Sequence, residues 1–315
     1  MSRIQNKKSS VQLITIDSDD DTRRIDNFLM SKLKGVPKSR IYQMIRKGEV
    51  RVNKGRIKQS YRLRLEDVVR IPPVSIATTI DQGKPPAYML EMVRSAFLFE
   101  DDDLIALNKP SGIVVHSGSG RSFGIIEILR YLRPEQTNLQ LIHRIDQETS
   151  GCLLLSKTGQ GLRDLHKALR SKQVEKKYIA LLKGDIGKQE LKVDVPLGKN
   201  IMLSGERLVQ VDKDGKVAQS SFKRLRRFQD TCLVNVRIET GRTHQIRVHS
   251  RHIGHPVAGD DKYGDRDLNK ILRRSGLKRM FLHAAQLELP DYGREGLSIN
   301  APLTANLQEF LDSHG

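Results

Sequence analysis

The chain has 315 residues, with 55 Lys and Arg against 37 Asp and Glu, a net charge of +18. That length allows two domains and at least one sizeable core, and the cationic excess points to a polyanionic partner, nucleic acid ahead of an anionic membrane surface. No apolar run approaches the ~20 residues of a membrane span, aromatics at 5% are too few for the stacking platforms of a general single-strand binder, and Cys152 and Cys232, both in apolar strand-like runs, read as reduced core residues and not as disulfide partners or metal ligands.

Residues 1–20 read as an N-terminal tail and a leading strand. The apolar run at 11–16 is too short for a signal peptide and is followed directly by Asp17, Asp19, Asp20 and Asp21, so a cytoplasmic protein is expected. A first domain is expected over residues 21–72. Residues 23–70 hold fifteen Lys or Arg and four acids, +11 of the whole +18. Thr22 is expected to cap a helix whose apolar positions Ile25, Phe28, Leu29 and Leu33 fall at helical spacing, ended by Gly35 and Pro37. Ser39 is expected to cap a second helix carrying Ile41, Met44 and Ile45, closed by Gly48. Val50-Arg51-Val52 alternates as a strand, Asn53-Lys54-Gly55 reads as a turn, and residues 68–71 read as a closing strand.

Residues 73–92, with Pro73, Gly83, Pro85 and Pro86, read as an extended linker. A second domain is expected from Val93 to the end, 93–315. Strands are expected at 97–99 and 104–107 around the acidic turn Asp101-Asp102-Asp103. Asn108-Lys109-Pro110-Ser111-Gly112 reads as a rigid turn. The glycine-rich stretch 118–124 lacks the Gly-Lys-Ser/Thr of a phosphate loop, so no nucleotide cofactor is expected; a helix over 125–132 follows it.

Next comes His143-Arg144-Ile145-Asp146-Gln147-Glu148-Thr149-Ser150-Gly151. Asp146 stands between an apolar residue and a run of turn formers, ahead of the buried-strand pattern at 152–155. That places it at the edge of a sheet, held by a tight turn, either as a functional carboxylate or as an Asx cap of the turn itself. Tyr178, 32 residues on, lies in the strand-like run 176–182, where a tyrosine is by itself ordinary. In Gly241-Arg242-Thr243-His244-Gln245-Ile246-Arg247-Val248-His249, Thr243 is expected to cap a helix to His252 ended by Gly254, with His244, Arg247 and Arg251 on one face. Arg247 there can grip a carboxylate through a bidentate fork or bind a phosphate. His244, His249, His252 and His255 project in different directions and carry no zinc-like spacing, so no metal site is expected.

The nonapeptide at 143–151, the run at 241–249, the Lys109-Pro110-Ser111-Gly112 turn and the Lys176-Lys177-Tyr178 phrase together resemble the pseudouridine synthases that act on large-subunit ribosomal RNA. His143 favours that branch, since small-subunit relatives show Gly at its position. The basic N-terminal block resembles the S4 RNA-binding domain, with a core phrase at residues 45–53 and a departure at Glu66-Asp67, where that domain commonly shows Gly-Asp. The phrases at 35–39 and 71–74 are most similar to the C-type branch, which implies several target uridines near the peptidyl transferase centre.

The resemblance implies an α+β fold, with a mixed, largely antiparallel sheet and flanking helices in the catalytic domain and a small S4-like domain before it. It implies isomerisation of uridine by cleavage of C1′–N1 and rejoining at C5. Asp146 would be the essential carboxylate and Arg247 its ion-pair partner. Tyr178 would stack on uracil, with proton transfer as a second role. Arg144 would fill the space vacated by the flipped base. Arg40, Arg46, Lys47, Arg51 and Arg242 would join it as RNA contacts. One carboxylate can suffice where ordinary glycosidases use two, because the departing uracil spreads its negative charge over its carbonyls. No metal, redox or nucleotide cofactor is required. The implied partner is large-subunit ribosomal RNA or a ribosome assembly intermediate, with no membrane and a monomeric protein. The competing reading is a non-catalytic RNA-binding assembly factor, which the basic block alone would fit. A hydrolytic RNA glycosidase would need a second placed carboxylate, and Glu148 reads as a turn cap.

Overall fold

The computed structural model describes residues 6–8, 10–33, 36–77, 83–117, 123–187, 189–201 and 207–314. The chain divides into two compact units, one of residues 1–84 with 158–160, the other of residues 85–157 and 161–315.

In the first unit β1 (Asn6–Lys8) and β2 (Gln12–Thr15) precede α1 (Ile25–Lys32) and α2 (Lys38–Lys47), and β3 (Arg51–Val52), β4 (Val68–Ile71) and β5 (Ser75–Ala77) follow. β2, β4 and β3 form an antiparallel sheet with β4 central, and β1 pairs with β5. The helical spacing of apolar residues is what builds the core: Ile25, Phe28, Leu29, Leu33, Ile41, Met44 and Ile45 are all buried with Val52 and Val69. The expected caps differ. Thr22 takes φ +59 and gives its N–H to the Leu63 carbonyl, so the chain enters α1 two residues later, with Arg24 at the N-cap. Pro37, its φ fixed by the ring, occupies the N-cap of α2 and puts Ser39 inside the first turn. Gly48 closes α2 at φ +71 as expected, while Gly35 lies outside the described residues. At the Gly-to-Glu departure the turn is kept, with Glu66 itself at φ +68. Asp67 next to it is buried and accepts from the Arg64 N–H, Tyr61 Oη and Asn53 Nδ2, and this ties the turn down without a glycine.

The stretch expected as a linker is structured at both ends. Besides β5, it contains most of α3 (Ala87–Arg94), so the second unit starts at Pro85 and not at Val93. Pro86 is the N-cap of that helix, a start signal and not a spacer.

The second unit continues with β6 (Phe97–Glu100), β7 (Leu104–Lys109), α4 (Ile125–Leu132), β8 (Gln140–Leu141), β9 (Ser150–Ser156), α5 (Gly159–Arg170) and β10 (Glu175–Lys183). After them come β11 (Leu191–Asp194), β12 (Leu197–Ile201), β13 (Arg207–Val211), β14 (Gln219–Arg227), β15 (Thr231–Ile238), α6 (Gln245–His252), α7 (Arg266–Arg274), β16 (Leu282–Leu289), β17 (Leu297–Asn300) and α8 (Ala305–His314). α4 occupies the expected span, and residues 118–122 of the glycine-rich stretch before it lie outside the described residues. The main sheet runs β11-β14-β15-β10-β16-β9-β7-β6, with β17 on β16 and β8 on β9. Its pairs are antiparallel except β16 with β9, which gives the mixed, largely antiparallel sheet of an α+β fold. No helix of the described residues is long and apolar enough to cross a membrane.

β9 is the strand that matters for the site. All seven residues are buried, and it lies between β7 and β16 in the sheet interior, so Asp146 sits ahead of a central strand and not at a sheet edge. Gly151 in β9 opposes Ala284 on one side and Lys109 on the other, at φ +109. A Cβ there would stand 2.1 Å from the Ala284 carbonyl oxygen. Gly151→Ala is therefore expected to destabilise the fold by about 2–4 kcal/mol, combining overpacking with a disfavoured φ. A denaturation midpoint within experimental error of the parent would contradict this close approach.

Candidate active site

A cleft of about 960 Å³ opens in the second unit, lined among others by Arg144, Asp146, Tyr178, Arg242, His244 and Arg247. These residues come from three places in the chain: the loop before β9, strand β10, and the start of α6.

The Asp146 loop is fixed through its backbone. The buried Lys109 ammonium donates to the carbonyls of Pro110, Ile113 and Gln147. Gly112 N–H also donates to the Gln147 carbonyl, and Gln147 Nε2 donates back to the Gly112 carbonyl at 2.8 Å. Ser111 Oγ and Arg279 Nη2 donate to the Glu148 carbonyl. The rigid turn at 109–112 thus holds the two residues that follow Asp146. Deeper, Arg279 donates to Ser150 Oγ at 2.8 Å, Ser150 donates to His283 Nδ1, and His283 Nε2 donates to the Ala301 carbonyl. Burial, then the nearby Arg279 charge, lowers the Lys109 pKa to about 7, and burial lowers that of Arg279 to about 10. Ahead of Asp146, His143 accepts the Leu154 N–H on Nε2, and burial lowers its pKa to about 4, so it is a neutral structural imidazole.

Tyr178 lies in β10 opposite Val236 and Ala284, beside a register shift at Lys177. Tyr178 is buried and lines the cleft; burial first, and the Asp146 charge second, raise its pKa far above that of free tyrosine, so it stays a neutral phenol.

α6 begins later than expected. Its N-cap is His244, at φ +54, and Thr243 makes no capping bond. His244 therefore stands at the mouth of the helix, where its ring and the Arg247 guanidinium both face Asp146 Oδ2. His249 points inward, held by Ser220 Oγ and the Val195 carbonyl. Among the described residues no group of three or more His, Cys, Asp or Glu is placed to hold a metal ion.

Arg247 differs most from expectation. Its bidentate partner is Asp260, through Nε at 2.7 Å and Nη2 at 2.9 Å. Asp146 receives only Nη1, at 3.4 Å. Asp260 occupies the Nε–Nη2 edge of the guanidinium, which leaves Nη1 to face Asp146. Asp260 is fully buried and Arg247 is 8% exposed, against 24% for Asp146. Burial opposes both buried charges, but the mutual hydrogen bonds and attraction prevail: the Arg247 pKa is raised and that of Asp260 lowered. Asp260 Oδ1 also accepts the N–H groups of Lys262 and Tyr263, and the Tyr263 ring lies under the guanidinium at 4.9 Å. Asp260, Tyr263 and Arg279 are the residues that sequence reasoning missed, whereas the Lys109 turn was singled out as a motif. Of the three, only Asp260 carried a signal, as an acid in the glycine-flanked turn Gly259-Asp260-Asp261-Lys262 shortly after the basic helix.

The expected RNA contacts fall into two sets. Arg144 and Arg242 are exposed on the cleft wall, Arg242 donating to the Val217 carbonyl. The others belong to the first unit. Arg46 and Lys47 are exposed in the last turn of α2, Arg40 is engaged by Glu49 at 2.8 Å, and Arg51 donates to the carbonyls of Gly48 and Lys54.

Residues 103–252 match the family model described as RNA pseudouridylate synthase, and residues 23–69 match the S4 domain model. The chain is 52% identical to a Yersinia pestis protein named ribosomal large subunit pseudouridine synthase C, over 96% of this chain and 95% of that one. It is 47% identical to the Escherichia coli protein of the same name, over 98% of each. A solved human structure, RNA pseudouridylate synthase domain containing 4, superposes with a TM-score of 0.59 at 25% identity, covering 72% of this chain and 95% of that one. With relatives this similar over nearly its whole length, and with its acid, tyrosine and arginine gathered in one cleft, the chain belongs to the RNA pseudouridylate synthase family.

Proposed function

We propose that this protein isomerises specific uridines to pseudouridine in large-subunit ribosomal RNA, with Asp146 as the essential carboxylate. The observation that carries the assignment is the meeting of Asp146, Tyr178 and Arg247 in one cleft, from positions 32 and 101 residues apart. The C1′–N1 bond breaks with its electron pair retained by uracil. Asp146 either captures C1′, in an ester bond that C5 later displaces, or removes a C2′ proton, which returns to C2′ when C5 attaches; both routes need the ionised carboxylate. The base turns, C5 bonds to C1′, the C5 proton is lost to water and N1 takes one up from water. Tyr178 offers an apolar ring face and a neutral hydroxyl to the base. Arg247 places a cation 3.4 Å from Asp146. Arg144, beside Asp146 and exposed, fills the stack that the flipped base leaves. The first unit supplies further phosphate contacts through Arg40, Arg46, Lys47 and Arg51, with Arg242 on the cleft rim. We place the reaction in the cytoplasm, in keeping with a ribosomal RNA substrate and two free cysteines.

Asp146→Asn keeps the shape and removes the charge. It is expected to abolish pseudouridine formation on transcribed large-subunit RNA fragments while RNA binding persists. Normal turnover by this variant would remove Asp146 from the mechanism and favour an assembly factor that only binds.

Arg247→Ala strands the buried Asp260, and Asp260→Ala strands Arg247, so each alone is expected to cost about 3–5 kcal/mol, with little added by combining them. Arg247→Ala with Asp146→Ala is expected to be close to additive in stability. Arg247→Lys cannot reach both carboxylates with a fork and is expected to lose most activity. Denaturation midpoints for the two cycles check this, and additivity between Arg247 and Asp260 would contradict the pair.

Arg46→Gln with Lys47→Gln is expected to weaken RNA binding and lower the slope of log K against log salt by roughly 0.7–0.9 for each phosphate that is no longer neutralised. An unchanged slope would leave this part of α2 without an RNA role.

A further inference from the structure

His244 lies on the cleft wall and has no part in the steps above. It holds a left-handed backbone conformation at φ +54, disfavoured for a residue with a Cβ and characteristic of over-determined functional positions. Its ring is fixed from behind. Tyr263 Oη lies 2.8 Å from His244 Nδ1 and accepts the Val209 N–H at 3.0 Å. With that bond received, the hydroxyl has Nδ1 as an acceptor for its hydrogen, and in that arrangement the neutral ring carries its own proton on Nε2. The Tyr263 ring packs edge-on against the imidazole, with centroids 5.4 Å apart, and its face carries the Arg247 guanidinium. Burial lowers the His244 pKa and so favours the neutral ring, while the Asp146 charge opposes this in part. Nε2 stands 4.0 Å from Asp146 Oδ2, beyond hydrogen-bonding distance, and has no acceptor among the described residues. A donor of fixed tautomer is therefore aimed into the space beside the carboxylate where C1′ must come.

Resting on the isomerisation proposed above, we propose that His244 is a further catalytic residue whose Nε2–H donates to the uracil carbonyl beside the glycosidic bond. That carbonyl is O2 while the base is joined through N1, and O4 once it is joined through C5. In uracil, N1 lies between C6 and the C2 carbonyl, and C5 lies between C6 and the C4 carbonyl. The half-turn about the N3–C6 axis that exchanges N1 for C5 also exchanges O2 for O4. One stationary donor thus meets a carbonyl oxygen at both ends of the reaction. Between them it faces the charge left on the ring when the C1′–N1 pair departs. The proton stays on Nε2 throughout. The role is that of an oxyanion donor, whose weight lies in the charged state.

The test is single-turnover kinetics on a large-subunit RNA fragment carrying uridine or 2-thiouridine at the target, with the parent protein, His244→Ala, His244→Gln and Tyr263→Phe. His244→Ala is expected to slow uridine conversion by about 10²- to 10³-fold, as for loss of one oxyanion donor. His244→Gln, whose amide nitrogen reaches the Nε2 position, recovers much of the rate, and Tyr263→Phe falls between. With 2-thiouridine, a weaker acceptor, the parent slows and the fold loss in His244→Ala shrinks. An equal fold loss on both substrates would overturn the contact with O2. So would a His244→Gln variant as slow as His244→Ala with an unchanged denaturation midpoint. No pseudouridine from the parent would overturn the isomerisation itself and this role with it. Equal rates for parent and His244→Ala would overturn His244 alone.

Discussion

One guanidinium, that of Arg247, joins two carboxylates of unequal standing. Asp260 is wholly buried and holds the donor fork; Asp146 is partly open to solvent and receives a single long contact. A buried ion needs a partner that completes its hydrogen bonds, and Asp260 has one in Arg247 together with two backbone N–H groups. The arginine is thereby immobilised whatever the state of Asp146. The proposed reactive carboxylate then meets a cation already in position. It is also not clamped on both oxygens, which leaves Asp146 with oxygen lone pairs for chemistry.

Asp146 is held by its backbone, which leaves its side chain unconfined. Carbonyls of the two residues after it are taken by Lys109, Ser111 and Arg279, and Ser150 is caught between Arg279 and His283. Carbonyl capture by cations is strong and directional in a dry environment. The cost is the burial of a lysine and an arginine, visible in their lowered pKa values. Gly151 is the steric counterpart, since only a residue without Cβ lets β9 run this close to β16.

Elements whose signal is local were legible. The spans 68–71 and 125–132 show their apolar periodicity within a single element, and the structure keeps the same bounds. So was the gathering of Asp146, Tyr178 and Arg247, because the dense motifs around them carried a family likeness. What failed depends on distant partners. Thr22 cannot cap α1, because a backbone bond to Leu63 sets the entry of the chain. Pro85-Pro86 reads as linker until the apolar residues Leu90 and Val93 are seen to bury, which makes the second proline a helix start. Asp260 went unseen because a carboxylate in a turn does not declare its partner. The choice between Asp146 and Asp260 for the arginine fork is made by burial, which no local pattern encodes.

The depth at which each charge sits also turns the cleft into a filter. Arg247 and Asp260 cancel within the wall, which leaves the negative Asp146 beside the neutral ring of Tyr178, while Lys176 also lines the cleft. Arg144 and Arg242 stay outside, exposed. A phosphate drawn by the protein's positive field meets these exposed cations first, while contact with Asp146 would set it against a like charge. A pyrimidine ring carries no charge and has no such conflict. Under the proposed isomerisation the cleft therefore favours an arrangement with the backbone at the rim and the base inside, before any atom of the base is recognised.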